Sequence, residues 1–204
     1  MRTSSPHVAS ILVLTALYRT FASSAPSGIV PQMIEYFGFS HEVGVLTIAL
    51  FVGGYCVGPL VWGPVSENIG RKVPLIISFT AYTGFTIGCA LSRNTGSILV
   101  FRFLSGVFSA SALVISGALM GDIWDARTRG KALSVFTLAP FAGPSLGPTV
   151  SGFMAVSGVH WRWVYWVMTI FAGLCLALIV ITLPETFKYV YLLPAIECKL
   201  IASI

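Results

Sequence analysis

Three arrangements in this sequence put reactive residue types at spacings that could do chemistry. The first is a formal nucleophile string, Gly143-Pro144-Ser145-Leu146-Gly147. Such a serine needs a strand-to-helix elbow, a histidine and an acid. Ser145 instead lies between prolines in an apolar run, and His160 is the one histidine remotely near it. The chain is therefore expected not to be an enzyme. The second arrangement is a pair of cations inside apolar runs, Arg19 and Arg102. Arg102 shares a face with Ser105, Gly106 and Ser109 and is expected to point into a bundle or a wet cavity. Arg19 stands at a span centre, where a guanidinium costs about 2.5–3.5 kcal/mol, and is expected to line a cavity that meets substrate. The alternative is a side chain that snorkels to the headgroups. The third is a charged turn, GPLVWGPVSENIGRK from Gly58 to Lys72, which sets Glu67, Gly70, Arg71 and Lys72 between two apolar runs.

Other chemistry is excluded by what is missing. Cys56, Cys89 and Cys175 fall inside apolar runs, Cys198 falls near the end, and none has zinc-type spacing, so no metal and no cofactor is expected. No carboxylate falls inside an apolar run, so a proton carrier titrating within a membrane is not visible. The net charge of +5 is scattered rather than gathered into a basic patch, which excludes a nucleic-acid partner.

The elements that must position these residues are membrane helices. The chain has 204 residues, 56% hydrophobic and 9% charged, against about 25% charged in a soluble domain. A bilayer core needs about 20 apolar residues per helix. Six spans follow: 8–34, 43–65, 73–91, 98–120, 132–156 and 161–183. Glu35 and Glu42 fall in one connection, and Gly121 to Ala132 (GDIWDARTRGKA) forms another. The first span carries Thr15, Tyr18, Arg19, Ala22 and Pro26 on one face, with Ser23 beside them. Tyr18, Arg19 and Ser23 are candidates for a substrate pathway. In an isolated half these three and Arg102 are expected to form one wall of a two-walled cavity and to be left facing lipid.

Eight basic residues fall in one set of connections and termini, and Arg93 and Arg162 alone in the other set. The positive-inside rule then puts both termini in the cytoplasm. The N-terminus is expected to carry no cleavable signal. Small residues four apart, Gly54 and Gly58, Ser105 and Ser109, Gly117 and Gly121, Gly143 and Gly147, suit close helix packing in lipid. HWRWVYW, His160 to Trp166, reads as an aromatic interfacial belt.

The charged turn resembles the cytoplasmic loop between helices 2 and 3 of the major facilitator superfamily of transporters. Gly63, Gly70, Arg71 and Lys72 match, Glu67 stands for the family's Asp, and Asn68 stands where a base is usual. Arg102 followed by Gly106 is similar to the helix-4 motif, whose arginine is implicated in coupling in proton-coupled members. Gly143, Pro144 and Gly147 resemble the helix-5 motif of the drug-antiporter branch, with Pro148 and Ala139 replacing two of its glycines. Asp122, Arg129 and Gly130 resemble the acid, base and glycine of the helix 4–5 loop. Pro184-Glu185-Thr186 and the Ser23 to Ser27 stretch make fungal drug/polyamine:proton antiporters the branch it most resembles.

The resemblance implies an all-α membrane protein, the N-terminal half of the family fold. Its six transmembrane helices would form a 3+3 inverted repeat over residues 1–187, with an atypical tail at 188–204. It implies a conformational latch made by Gly63, Glu67, Gly70, Arg71, Lys72, Asp122 and Arg129. Coupling falls to Arg102 and Gly106, and bending or sealing of helix 5 to Gly143, Pro144 and Gly147. The implied activity is alternating-access, proton-coupled efflux of drug- or polyamine-type substrates, here as a half-length or truncated chain. The alternative is a non-transporting remnant or regulator that associates with full-length relatives. Expected partners are the lipid bilayer, an amphipathic or cationic small molecule, protons, and a second six-helix half or a homodimer. The expected location is the plasma membrane, with the vacuolar membrane as alternative.

Overall fold

A computed structural model describes residues 6–123 and 126–182, with the side chains of 6–9, 121–129 and 132 excepted. The expected tail and the Pro184-Glu185-Thr186 stretch lie outside the described residues. The first span is broken where its prolines dictate. α1 (Pro6–Ser24) gives way to a 3-10 turn over Ala25–Ile29, because Pro26 has no N–H and its ring crowds the carbonyl four residues back. Pro31 then opens α2 (Val30–Phe37), where a missing N–H costs nothing. Gly38, at φ 70°, ends α2 and donates its N–H to the Ile34 carbonyl at 2.9 Å.

The remaining helices are α3 (His41–Ile69), α4 (Lys72–Leu91), α5 (Thr95–Ile123), α6 (Ala126–Val156) and α7 (Arg162–Thr182). Four stretches, His41–Ile69, Lys72–Leu91, Thr95–Met120 and Arg162–Thr182, are long and apolar enough to cross a membrane. Glu35 and Glu42 lie in helices rather than in a connection, Glu42 in the first turn of α3 where the helix dipole favours an acid. The expected loop from Gly121 to Ala132 is corrected too. α5 runs on to Ile123 and α6 begins at Ala126, because this polar stretch holds no proline and only Gly130 after Gly121 to interrupt a helix. α5 also starts three residues earlier than its apolar run. Arg102 is thus seven residues in, about 10 Å at 1.5 Å per residue.

The tightest pairings are α3 with α5 and α1 with α6; α5 also packs on α4, and α4 on α7. Glycines make the two tightest ones. A methyl group on Gly54 would come 2.6 Å from the Phe103 carbonyl oxygen, and one on Gly58 would press on Ala110 and, at 2.8 Å, on the Val107 carbonyl oxygen. Across the bundle, a methyl on Gly143 would come 2.6 Å from the Phe21 nitrogen, and one on Gly147 2.9 Å from the Ala25 nitrogen. The hydrophobic core lies between α1, α4, α5 and α7, around Leu12, Phe79, Ile115 and Ala172. Large apolar side chains face outward on α3, α6 and α7, among them Leu60, Phe141, Phe153, Ile170 and Ile181.

These contacts predict a graded glycine series. Gly54→Ala and Gly143→Ala should each destabilise the protein by about 1–3 kcal/mol through overpacking. Gly84→Ala, with open space around it, should be neutral in thermal unfolding followed in detergent. Equal midpoints for all three variants would refute the close-approach account.

Candidate functional site

Two arginines stand inside the bundle, held by neutral groups. Arg19 on α1 is 1% exposed and Arg102 on α5 is 2% exposed. Arg19 Nη1 donates to the carbonyls of Ser109 and Phe108 on α5, the latter at 3.2 Å. Its guanidinium carbon lies 3.9 Å from the centre of the Phe79 ring and 5.3 Å from that of Tyr82, both on α4. Nε and Nη2 of Arg19 have no protein partner. Arg102 donates from Nε and Nη2 to the Tyr165 hydroxyl on α7, at 3.2 and 2.8 Å. It also faces the Tyr165 and Phe51 rings, at 4.7 and 5.5 Å. Desolvated cation–π contacts of this kind contribute about 2 kcal/mol, comparable to the insertion cost of an arginine, about 2.5–3.5 kcal/mol.

Tyrosine hydroxyls extend the contacts around Arg19. Tyr18 on α1 donates its proton to the Met168 carbonyl at 2.6 Å. A phenol has one proton, so in the 3.2 Å contact between Tyr18 and Tyr82 the donor is Tyr82. Tyr55 on α3 meets the Ser109 hydroxyl at 3.1 Å, beside the carbonyl that receives Arg19. Ser111 on α5 bonds Ser78 on α4. The network therefore ties α1, α3, α4, α5 and α7 together with hydroxyls, carbonyls and ring faces. No group of three or more His, Cys, Asp or Glu that could hold a metal occurs among the described residues.

The placement of the expected site residues is mixed. Arg102 is inside the bundle, as its cost requires. Tyr18 and Arg19 are enclosed by helices of this same chain, not left on a wall facing lipid, because α4 and α5 supply acceptors and ring faces within reach. Ser23 is half-buried, and its hydroxyl bonds the Thr20 carbonyl at 2.7 Å. Gly106 is a packing position, where an added methyl would come 3.0 Å from the Phe51 carbonyl carbon. Gly143 and Gly147 face α1, while Pro144 is exposed on the other side of α6. Glu67 is exposed in the last turn of α3, and the chain reverses at Gly70, whose φ of 94° favours glycine. Arg71 and Lys72 are half-buried where α4 begins, and Gly63 has open space beside it. Asp122 and Arg129 fall in α5 and α6, and their side chains lie outside the described residues.

Sequence reading missed the partners of the cations: Tyr165, Tyr82, Tyr55 and Phe79. Tyr165 and Trp161 were hidden in an apparent interfacial belt; both are buried, and Trp163 and Trp166 are the exposed members. Spacing held the signal, since Trp161 and Tyr165 are four apart and share a helix face.

Among the described residues the protein is an all-helical bundle, closed by glycine contacts around a cationic core, with four helices long and apolar enough to cross a membrane. The major facilitator superfamily model matches residues 12–191, and the chain belongs to that family. Its relatives are fungal. The MFS-type transporter traF of Penicillium crustosum is 42% identical over 85% of this chain and 36% of its own length. Polyamine transporter 3 of Saccharomyces cerevisiae is 39% identical over 90% of this chain and 29% of its own. Efflux pumps and a multidrug transporter are among the other relatives. The chain thus spans about a third of the length of the curated relatives it matches. Among solved structures, the proton:xylose symporter XylE superposes with a TM-score of 0.79 at 21% identity, over 91% of this chain and 46% of that one. That similarity establishes the fold.

The core predicts a coupled pair. Tyr165→Phe strips Arg102 of its hydroxyl acceptor and should cost about 1.5–3 kcal/mol, the range for hydrogen bonds to charged groups. In an Arg102→Met background the same change should cost far less. A double-mutant cycle by chemical denaturation checks this, and equal costs in both backgrounds would refute the pairing.

Proposed function

We propose that this chain is the N-terminal six-helix half of a drug- or polyamine-type efflux transporter, working by alternating access with proton coupling. The observation that carries this reading is identity of about two residues in five to fungal transporters, over more than four-fifths of the chain. In this reading the first span is α1 through α2, and α6 is the fifth. Both termini are cytoplasmic, and the helices form a 3+3 inverted repeat. The cross-pairing supports the repeat. Exchanging the first three spans with the last three turns the α3–α5 pair into the α6–α1 pair, the two tightest contacts.

Substrate, an amphipathic or cationic small molecule, passes between this wall and a second six-helix half or a second copy. Tyr18, Arg19 and Ser23 border that pathway on α1. Arg102 and Gly106 serve coupling. Glu67, with Gly63, Gly70, Arg71, Lys72, Asp122 and Arg129, latches the cytoplasmic side when the halves close there. Gly143, Pro144 and Gly147 set how α6 bends. The membrane is the plasma membrane, with the vacuolar membrane as the other candidate.

A second reading, a non-transporting remnant or a regulator of full-length relatives, is favoured by one observation. Arg19 and Arg102 are enclosed without any second half, so six helices do not need a partner merely to shelter them.

One experiment tests the orientation and a second separates the two readings. With native cysteines replaced by serine, a membrane-impermeant thiol reagent applied to intact cells should label Cys at Thr95 and not at Ile69. The reverse pattern would overturn the orientation. In liposomes with a pH gradient, the monomeric chain should give no saturable polyamine or drug uptake, and the chain assembled with a second six-helix half should give it. Uptake by a demonstrated monomer would refute the two-wall mechanism. A folded assembly with no uptake of any tested compound would favour the non-transporting reading.

A further inference from the structure

We propose that the groove at the start of α7 binds one anionic glycerophospholipid, headgroup phosphate on Arg162 and acyl chain along the outer face of the helix. The inference is independent of what the protein carries. The groove is lined by His160, Arg162, Trp163, Trp166 and Ile170. It lies at the end of the bundle where Tyr36, Phe37, His160 and Trp161 cluster ring against ring. Such aromatic clusters mark the headgroup level of a bilayer.

The head of the groove has donors. Arg162 Nη2 donates to the Tyr36 hydroxyl at 3.0 Å and to the Ser92 carbonyl at 3.4 Å. These contacts use both Nη2 protons and fix the guanidinium; Nε is buried, and Nη1 has no hydrogen-bond acceptor among the described residues. Arg162 makes no ion pair among the described residues. A planar guanidinium held this way suits the oxygens of a phosphodiester. His160 adds a second donor. Its Nδ1 accepts the Arg162 backbone N–H at 3.3 Å, so the neutral ring carries its proton on Nε2. The first helical amides are already satisfied, Trp163 by the His160 carbonyl at 2.9 Å and Val164 by the Trp161 carbonyl at 3.2 Å. An anion here is therefore read by side chains, not by a bare helix end.

The rest of the groove is apolar, lined by Trp163, Trp166 and Ile170, and beyond it the exposed strip continues along α7 to Leu174. Trp163, Trp166, Ile170 and Leu174 are 57%, 37%, 68% and 55% exposed, and recur at helical spacing on one side of α7. From Arg162 to Leu174 the helix rises about 18 Å, close to the roughly 15 Å of hydrocarbon in one leaflet. A cationic head joined to an apolar strip of one leaflet's depth matches a phospholipid, where a free anion would use the head alone.

The test is native mass spectrometry of the delipidated 204-residue chain in detergent, titrated with phosphatidylserine, phosphatidylcholine or inorganic phosphate. One phosphatidylserine should be retained, more tightly than phosphatidylcholine. Arg162→Gln should weaken retention severalfold, through loss of the charge-assisted contact to the phosphate. Trp166→Ala should weaken it as well. Because Arg162 also holds Tyr36 and Ser92, Trp166→Ala decides the matter if Arg162→Gln does not fold. Inorganic phosphate should not displace the lipid. Retention unchanged by Trp166→Ala, or displacement by phosphate, would overturn the proposal.

Discussion

Close approach of backbone to backbone is the constraint on which the rest of this bundle depends. Lipid tails are as apolar as leucine, so no hydrophobic force draws membrane helices together, and contact must come from fit. Gly54 and Gly58 supply it between α3 and α5, and Gly143 and Gly147 between α6 and α1. With α5 held by α3 on one side and α4 on another, α1 can bring Arg19 within reach of the Phe108 and Ser109 carbonyls. A larger residue at any of these glycines would part the helices and leave a charge without acceptors.

The cationic core constrains any transport mechanism. Among the described residues neither arginine faces a carboxylate; each is offset by carbonyls, hydroxyls and ring faces. An arginine does not lose its proton in a protein, so it cannot itself be a proton carrier. In the proposed cycle Arg19 and Arg102 act through their field, on substrate or on acids outside this core. The field is strong because the groups that offset it are neutral and fixed.

Much of the architecture was legible because hydropathy is nearly sufficient in a membrane. The Gly70 turn and the limits of α4 and α7 followed from local chemistry, whereas Asp122 and Arg129, expected in a loop, fell in helices. The α5–α6 connection was misjudged because polar residues mark a loop in composition while nothing there prevents a helix. Enclosure of Arg19 was not legible, since its acceptors are main-chain carbonyls and its ring partners lie more than fifty residues away on α4. Tyr165 was masked by its neighbours: one heptapeptide has Trp163 and Trp166 outward and Trp161 and Tyr165 inward, a division that composition cannot express.

The two faces of α6 give the helix-5 motif a more definite meaning than flexibility. Pro144 and Pro148 each remove a main-chain hydrogen bond and so weaken the helix against bending. Gly143 and Gly147 occupy the same two turns but face α1, where main chains nearly touch. The Thr20 hydroxyl of α1 also lies 3.2 Å from the Ala139 carbonyl, within donating reach. A bend at the prolines must then either carry α1 along or open the tightest contact on that side of the bundle. Opening it forfeits the close packing that alone holds helices together in lipid, so motion of the pair together is the cheaper course. In the proposed cycle α1 and α6 therefore move as one element. Arg19, fixed to α1 yet bonded to α5, is the point at which that element pulls on the rest of the bundle.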